Sequence, residues 1–342
     1  VAKDALEFRS RIGCWNNPAA KRLHRDLQGT NWADVAAALQ LRTEEVVCEL
    51  VDEAMKRFDC STLALAGGVF ANVKLNQELV KIDSVSDVYI HPHMGDGGLA
   101  VGGAYAHWAE QKLKSGETPE PQFIDTVYHG TETTAAEIAS ALDEAGLEYE
   151  HRSDTEDRIG ELLAKGYVVG RYNGALEYGP RALGNRSIIA APTDPSCQDW
   201  LNERLDRTEF MPFAPSILES HIDDFYVDTS AGTHAGKFMT INFDATDHGK
   251  KSAPAVIHID ETSRPQIVVE ADNPSYHSII ESFRKRTGLP ILLNTSFNAH
   301  GKPIVNSPEE AIDAYEKGMI DALAIDDFVV LSTDQSPSIV TV

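Results

Sequence analysis

Residues 177–187 read EYGPRALGNRS, and this stretch carries most of what the sequence says about fold and function. Arg181 and Arg186 lie in it among glycines, which let a backbone approach a ligand closely. A guanidinium group binds phosphate through two parallel hydrogen bonds, and backbone amides can add donors to the same anion. Phosphate binding is one interpretation. The alternative, in which both arginines pair with the chain's abundant carboxylates, stays open at this point.

The composition limits the classes of partner. The chain has 342 residues, enough for about two domains, and 53 acidic against 30 basic residues give a net charge of −23. Nucleic acids and anionic membranes both bind through clustered positive charge, so we expect neither as a partner. No apolar run reaches the length of about 18 residues that a membrane-spanning helix needs.

Cysteine usage and the start of the chain bear on its compartment. The four cysteines form no CxxC pair and no short zinc-binding spacing, which favours free thiols in a reducing compartment. The chain begins with Val1, and no signal peptide follows. We therefore expect a cytoplasmic protein that is a piece of a longer one. A homodimer is compatible with the sequence, which does not fix the oligomeric state.

Helices and strands alternate along the chain, which is typical of the α/β class. In the first region, residues 1–113, the predicted elements are a helix from Asn31 to Phe58, a strand over 63–66, a helix from Asn72, a strand over 88–90 and a helix over 99–113. Residues 114–125 carry turn formers without periodicity and are predicted to be a linker.

The second region, residues 126–342, continues the alternation. Thr134 and Glu137 have the spacing of a capping box. Helices are predicted to begin at Thr155, at Asp194-Pro195, at Asn273-Pro274 and at Ser307-Pro308, and strands to cover 167–171, 290–294 and 323–331.

Two glycine turns in the first region are candidate ligand sites. Gly67 and Gly68 end a strand and precede a helix that starts near Asn72, an arrangement that can present free amides to a phosphate. A simple tight turn is the alternative. Asp96, between Gly95 and Gly97, could bind a metal or cap the following helix. His91 and His93 share one face of an extended segment, so they could reach one ion or be ordinary polar residues.

The strand over 290–294 delivers polar side chains at its carboxyl end. Asn294, Thr295, Ser296 and Asn298 follow one another there. Ligands of open α/β sheets commonly sit beyond the carboxyl ends of strands, so a ligand site is one interpretation. Turn capping by Asn and Ser is the other.

Taken together, the motifs resemble a known family. The chain is similar to the carbamoyltransferases that decorate antibiotics, nodulation factors and other sugars, from about Trp32 to Tyr315. The motifs that carry the resemblance are Ala66-Gly67-Gly68-Val69 with Asn72 and Asn76, Gly95-Asp96-Gly97-Gly98, residues 177–187, Pro212-Phe213-Ala214-Pro215, Thr262 with Arg264-Pro265-Gln266, and Asn294-Thr295-Ser296-Phe297-Asn298.

The resemblance implies a fold of two modules. Residues 1–113 would be the C-terminal half of a nucleotide-binding domain of the actin and sugar-kinase type (ASKHA). After the linker over 114–125, residues 126–342 would form a complete twisted α/β domain similar to threonylcarbamoyl-adenylate synthases (YrdC-like).

The resemblance also implies a reaction. Carbamoyl phosphate and ATP would form carbamoyl adenylate in the second module, and the carbamoyl group would pass to a small-molecule, sugar-like hydroxyl in the first. That last step would need the half-domain that this chain lacks. The residues implied for the anion and adenylate site are Arg181, Arg186, Ser187, Asn294, Ser296 and Asn298; Gly67, Gly68 and Asn72 would face nucleotide, and Asp96 would be one ligand of a divalent metal, Fe or Mg, whose site is incomplete here.

The sequence departs from the family's pattern in three respects. The HxxxH pair that binds metal in the family is absent. Asp206 stands where many relatives have a basic residue, a role that neighbouring Arg207 would take over in nucleotide binding. Lys302 stands where an acidic residue is usual. These departures keep open a non-catalytic nucleotide- or anion-binding module, while an enzyme of the tRNA threonylcarbamoylation type is disfavoured by the net charge.

Overall fold

The computed structural model describes residues 6, 13–14, 16–120, 123–205, 213–331 and 336–339. Asp206, Arg207 and Pro212 lie outside the described residues. Within this part of the chain, the helices and strands of the first region are α1 Asn16–Asp26, α2 Trp32–Phe58, β1 Thr62–Leu65, α3 Val73–Val80, β2 Asp87–Ile90 and α4 Leu99–Lys114.

The first region is organised around one parallel strand pair. Strands β1 and β2 run side by side, with Leu65 opposite Ile90, and α3 makes the crossover between them. Parallel pairing brings both carboxyl ends to the same edge. The backbone N–H of Gly67 accordingly donates to the carbonyl of Met94 at 2.7 Å. The two glycine turns of the sequence therefore meet at this edge.

The second region is built on a large sheet. Its described helices are α5 Ala135–Glu144, α6 Thr155–Ala164, α7 Cys197–Arg204, α8 Ile222–Phe225, α9 Thr233–Gly236, α10 Asp247–Ser252, α11 Pro274–Thr287 and α12 Pro308–Glu316. Its strands are β3 Glu150–His151, β4 Val169–Tyr172, β5 Arg186–Ala190, β6 Ala214–Leu218, β7 Phe243–Asp244, β8 Thr262–Ser263, β9 Gln266–Val268, β10 Ile291–Ser296, β11 Ala322–Ile325 and β12 Phe328–Val330.

Eight of these strands form a mixed sheet in the order β3-β12-β11-β4-β5-β10-β6-β9. Neighbouring residues of a strand face opposite sides, so Ile188 and Ile189 enter different hydrophobic clusters. Helices α6 and α11 cover one side, and α5 and α12 cover the other. The cluster that contains α5 continues into the first region through Leu75 and Leu79 of α3. The two regions therefore share a core.

Several predicted elements are confirmed. The side chain of Asn31 accepts from the backbone N–H of Ala33, and α2 ends at Phe58. Thr134 and Glu137 form the predicted capping box. Helix α11 begins after Asn273 and ends before Gly288, whose φ of 81° lies in the left-handed region.

Other elements differ from the prediction. The strand material predicted over 323–331 is divided into a hairpin of β11 and β12, whose turn contains Asp326 at a φ of 44°. The helix predicted from Asp194-Pro195 begins at Cys197, because the Asp194 carboxylate first binds the backbone N–H and hydroxyl of Ser196. Among the described residues, no helix combines the length and apolar character needed to cross a membrane.

Candidate functional site

The stretch 177–187 forms a loop held by one buried carboxylate. Oε1 of Glu177 accepts from the backbone N–H groups of Leu183 at 2.8 Å, Asn185 at 2.8 Å and Arg186 at 3.1 Å. Gly184 has a φ of 111°, and a Cβ there would lie 2.5 Å from the ring of Tyr276. Only glycine fits this position. The loop therefore has one well-determined conformation.

The two arginines of the loop have different environments. Arg186 is fully buried, and its guanidinium donates to four backbone carbonyls. Nη1 donates to those of Asn173 and Asn185. Nη2 donates to those of Thr131 and Gly174. Its guanidinium carbon also lies 3.5 Å from the ring centroid of Tyr172. These contacts occupy both terminal nitrogens of Arg186, whose Nε has no hydrogen-bond partner, and Arg186 does not line the neighbouring pocket.

Arg181 instead opens onto a pocket. The pocket lies beyond the carboxyl end of β10 and is lined by Pro180, Arg181, Ala182, Phe213, Ala214, Met239, Arg264, Asn294, Thr295 and Ser296. Arg181 and Arg264 both have a buried Nε without a hydrogen-bond partner. Among the described residues, no carboxylate acts on either arginine, although carboxylates are abundant in the chain. The ion-pairing alternative for Arg181 is therefore not what the structure shows.

The unpaired arginines make the pocket attractive to anions. Burial lowers the pKa of Arg181 below its usual range. Burial and the like charge of Arg181 lower the pKa of Arg264 to about 9. A desolvated cation without a partner is unfavourable, and a bound anion would offset that cost. The pocket is thus suited to phosphate or a similar group.

We expect Arg264→Met to leave the ligand-free protein as stable as the wild type, or to stabilise it by about 1 kcal/mol, because it removes an unpaired, half-buried cation. Pyrophosphate at about 100 times its dissociation constant should stabilise the wild type by about 2.7 kcal/mol, and this gain should disappear in the variant. Thermal unfolding with and without pyrophosphate measures both effects.

The matched control is Arg284→Met, which removes an arginine that binds Glu281 through two hydrogen bonds of 2.7 Å on the surface of α11. It should keep the pyrophosphate effect. An unchanged pyrophosphate effect in Arg264→Met would contradict the assignment of Arg264 to the anion pocket.

A buried polar network supports the pocket floor. Nδ2 of Asn294 donates to Ser216 Oγ at 2.9 Å and to Gln266 Oε1 at 3.0 Å. Gln266 in turn donates to the carbonyl of Leu183 at 2.7 Å, which ties β9 to the arginine loop. Asn294 Oδ1 has no partner, although the residue is only 1% exposed. Asn294 therefore keeps an acceptor free at the pocket.

Ser296 and Asn298 form a pair at the rim. The Ser296 hydroxyl donates to Asn298 Oδ1 at 2.6 Å, and Asn298 Nδ2 donates to the carbonyl of Lys302 at 2.6 Å. Ser187, opposite Ser296 in the neighbouring strand, is fully buried, and its hydroxyl accepts from the backbone N–H of Gly184 at 2.9 Å. Of the three, only Ser296 lines the pocket.

The predicted nucleotide residues lie at the edge where β1 and β2 end. Gly67 has a φ of 120° and nothing within 4 Å of where a Cβ would be, so its backbone is accessible. Gly68 opens the 3-10 turn Gly68–Ala71. Asn72 caps α3 by accepting from the Leu75 backbone N–H at 3.1 Å, and it exchanges two hydrogen bonds with Gln40. A nucleotide at this edge would contact Asn72, whose side chain is already hydrogen-bonded to Leu75 and Gln40.

Asp96 and the two histidines share this edge. The Asp96 carboxylate is exposed and makes no hydrogen bond within the described residues, so it does not cap α4. Nδ1 of His91 accepts from the His93 backbone N–H at 3.1 Å, and the His93 ring packs against Gly97. No three His, Cys, Asp or Glu side chains of the described chain are grouped to hold a metal ion. Asp96 could supply one ligand, but this part of the chain does not complete a metal site.

The two candidate sites are neighbours. A Cβ at Gly179 would lie 3.4 Å from the carbonyl oxygen of Pro92, and the ring of Tyr178 lies 5.3 Å from that of His93. The arginine loop of the second region thus contacts the strand edge of the first.

The structure brings Arg181, Asn294 and Ser296 together in one pocket, whereas Arg186 and Ser187 are fully buried and do not line it. Sequence reasoning assigned no role to Arg264, although it noted the motif that contains it. The sequence signal that could have pointed to Arg264 as a site residue is an arginine directly before a proline in a strongly acidic chain.

Comparison with known proteins agrees with the motifs. The sequence matches the carbamoyltransferase N-terminus family over residues 14–105 and the carbamoyltransferase C-terminus family over residues 160–332. An uncharacterized protein of Methanocaldococcus jannaschii is 34% identical over 326 residues, which cover 91% of this chain and 52% of that protein. Nodulation protein NolO of Bradyrhizobium diazoefficiens is 34% identical over 301 residues, which cover 87% of this chain and 54% of that protein.

Among solved structures, HypF of T. kodakarensis is similar at 17% identity and a TM-score of 0.37. The match covers 51% of this chain and 21% of that one. A likeness this distant carries no conclusion. The chain spans about half the length of the curated relatives it matches. The C-terminal match alone covers half of the chain, and the N-terminal match precedes it in the expected order. The chain belongs to the carbamoyltransferase family.

Proposed function

We propose that this chain binds carbamoyl phosphate and ATP at the arginine pocket and forms carbamoyl adenylate for transfer to a small-molecule, sugar-like hydroxyl. The observation that carries the proposal is the pair of half-buried arginines without carboxylate partners among the described residues, Arg181 and Arg264, in a chain of this family. Both substrates bring phosphate groups, which such a pair would bind. The proposal places catalysis at Arg181, Arg264, Asn294 and Ser296.

The proposed reaction develops charge where the arginines lie. Water first hydrolyses carbamoyl phosphate: its oxygen attacks the phosphorus, the bond from phosphorus to the bridging oxygen breaks, and carbamate, inorganic phosphate and a proton form. A carbamate oxygen then attacks the α-phosphorus of ATP, the bond from that phosphorus to pyrophosphate breaks, and carbamoyl adenylate and pyrophosphate form. Fixed cations stabilise the charge that builds up on the phosphoryl oxygens without large reorganisation. Phe213 and Met239 in the pocket wall would limit water, which hydrolyses such an anhydride.

The transfer step is assigned to the edge where β1 and β2 end. Its position beside the arginine loop supports this assignment. In the proposal, Gly67, Gly68 and Asn72 face nucleotide there, with Arg207 as an additional cofactor-binding residue. A divalent metal with Asp96 as one ligand belongs to the same proposal, and the remaining ligands would come from polypeptide outside this chain. No step is derived through that metal.

The apolar surface of α4 supports the need for further polypeptide. None of its residues is buried, although its sequence is LAVGGAYAHWAEQKLK, and Leu99 is 71% exposed. The curated relatives have about as much chain again beyond the matched part. We propose that such a segment covers α4 and completes the acceptor site.

Pyrophosphate release tests the proposed activity. With ATP and carbamoyl phosphate together, the chain should release pyrophosphate, and AMP should follow as the adenylate hydrolyses. Neither substrate alone should give pyrophosphate above background. Tight binding of ATP without pyrophosphate release, in this chain and in a full-length relative alike, would contradict the proposal and favour the non-catalytic binding module.

A further inference from the structure

Asn76, in the middle of α3, joins the two candidate sites. It is fully buried, and its Nδ2 donates to the carbonyl oxygens of Phe70 and Thr240, each at 2.7 Å. The first carbonyl belongs to the first region and the second to the second region. A single side-chain amide therefore holds two backbone segments that are far apart in the sequence.

Each of these segments belongs to a candidate site. Phe70 lies in the turn Gly68–Ala71 that follows Gly67 at the end of β1. Thr240 directly follows Met239, which lines the arginine pocket at a φ of 55°. Residues other than glycine rarely adopt this left-handed backbone conformation unless neighbouring contacts hold it. The hydrogen bond to Thr240 fixes the backbone beside it.

A second link runs parallel to the first. The backbone N–H of Asn242 donates to the Val73 carbonyl of α3 at 3.3 Å. Its Nδ2 donates to Thr262 Oγ1 at 3.1 Å, and Thr262 stands two residues before Arg264. Asn242 and Thr262 are both buried. The backbone next to Met239 and the strand that precedes Arg264 are thus linked to α3 by hydrogen bonds.

We propose that Asn76 is a positioning residue that couples the arginine pocket to the glycine turn, so that an anion bound in the pocket stabilises the turn and α3. The inference rests on the proposed function only in taking the pocket as the anion site. Buried hydrogen bonds between close-packed segments transmit small displacements, because no water can replace them. The coupling gives the adenylate pocket control over the edge at which transfer is proposed.

Hydrogen–deuterium exchange with pyrophosphate as the probe tests the coupling. In the wild type, pyrophosphate should slow exchange over residues 68–80 by about five-fold, the lower end of typical coupling between sites. Asn76→Leu should bind pyrophosphate at the pocket but lose this protection. The matched control is Gln77→Leu, which alters a neighbouring buried amide of α3 and should keep the protection. Within the described residues, Gln77 Oε1 accepts a hydrogen bond from Lys74 and none from the second region.

Arg181→Ala separates coupling from direct binding at the turn. It should remove the protection over 68–80, because the anion can no longer occupy the pocket. Protection confined to the pocket in the wild type, or full protection over 68–80 in Asn76→Leu, would overturn the inference. Should Asn76→Leu not fold, Asn76→Ser replaces it, because one hydroxyl cannot donate to both carbonyls. If pyrophosphate does not bind the wild type at all, the assignment of the anion pocket fails first, and the coupling falls with it.

Discussion

Arg181→Ala is expected to reduce carbamoyl-phosphate-dependent pyrophosphate release by about 10³-fold, because removing one preorganised donor to a developing charge typically costs about 10²–10³ in rate. Folding should be unaffected, since Arg181 makes no ion pair within the described residues and its Nε has no partner. The measurement is the rate of pyrophosphate release at saturating substrates, together with the melting temperature. A large rate loss without a loss of stability identifies a group that acts on the substrate.

Two further variants sharpen this prediction. Arg181→Lys keeps the charge but loses the planar pair of donors, so part of the activity should return. Arg284→Ala removes a surface arginine paired with Glu281 and should leave the rate unchanged. A rate for Arg181→Ala within about three-fold of the wild type would show that this arginine does not act in the reaction, since that difference is less than 1 kcal/mol.

The second large effect is expected at Glu177. Glu177→Ala leaves three backbone N–H groups of the arginine loop without their acceptor, and each unsatisfied buried group costs about 1–3 kcal/mol. We expect a loss of about 3–5 kcal/mol in the free energy of unfolding, measured by urea denaturation. Pyrophosphate affinity should fall as well, because the loop presents Arg181.

Glu177→Gln is the matched variant. Its amide oxygen can still accept from the loop, so it should lose only about 1–2 kcal/mol. A loss in Glu177→Ala no larger than in Glu177→Gln would contradict the role given to the three hydrogen bonds.

Local signals in the sequence predicted the local parts of the fold. Helix ends were predicted correctly at Asn31, at the Thr134–Glu137 pair and at Gly288, because a cap acts within one turn of the helix that it ends. The central strands β5 and β6 were not predicted. They are buried on both faces, and such strands show neither the alternation of a surface strand nor the period of a helix.

The site was predictable only in part for a related reason. Arg181 and Arg186 are both arginines of the stretch 177–187, and their neighbours in the sequence are similar. Their difference depends on carbonyls from Asn173, Gly174 and Thr131, whose positions follow from the tertiary structure. Arg264 enters the pocket from another strand connection, so spacing could not join it to Arg181. The motifs indicated which segments matter, and the packing determines which side chains are available to a ligand.

The order of the central sheet has a consequence for how the protein folds. Strand β10 lies between β5 and β6, and Leu293 pairs with both Ala190 and Pro215. Contacts between residues this distant in the chain form late, because a long loop must close before they are gained. The pocket needs that strand as well as the arginine loop. We therefore expect that a newly made chain cannot bind an anion at the pocket until the middle of the sheet has closed.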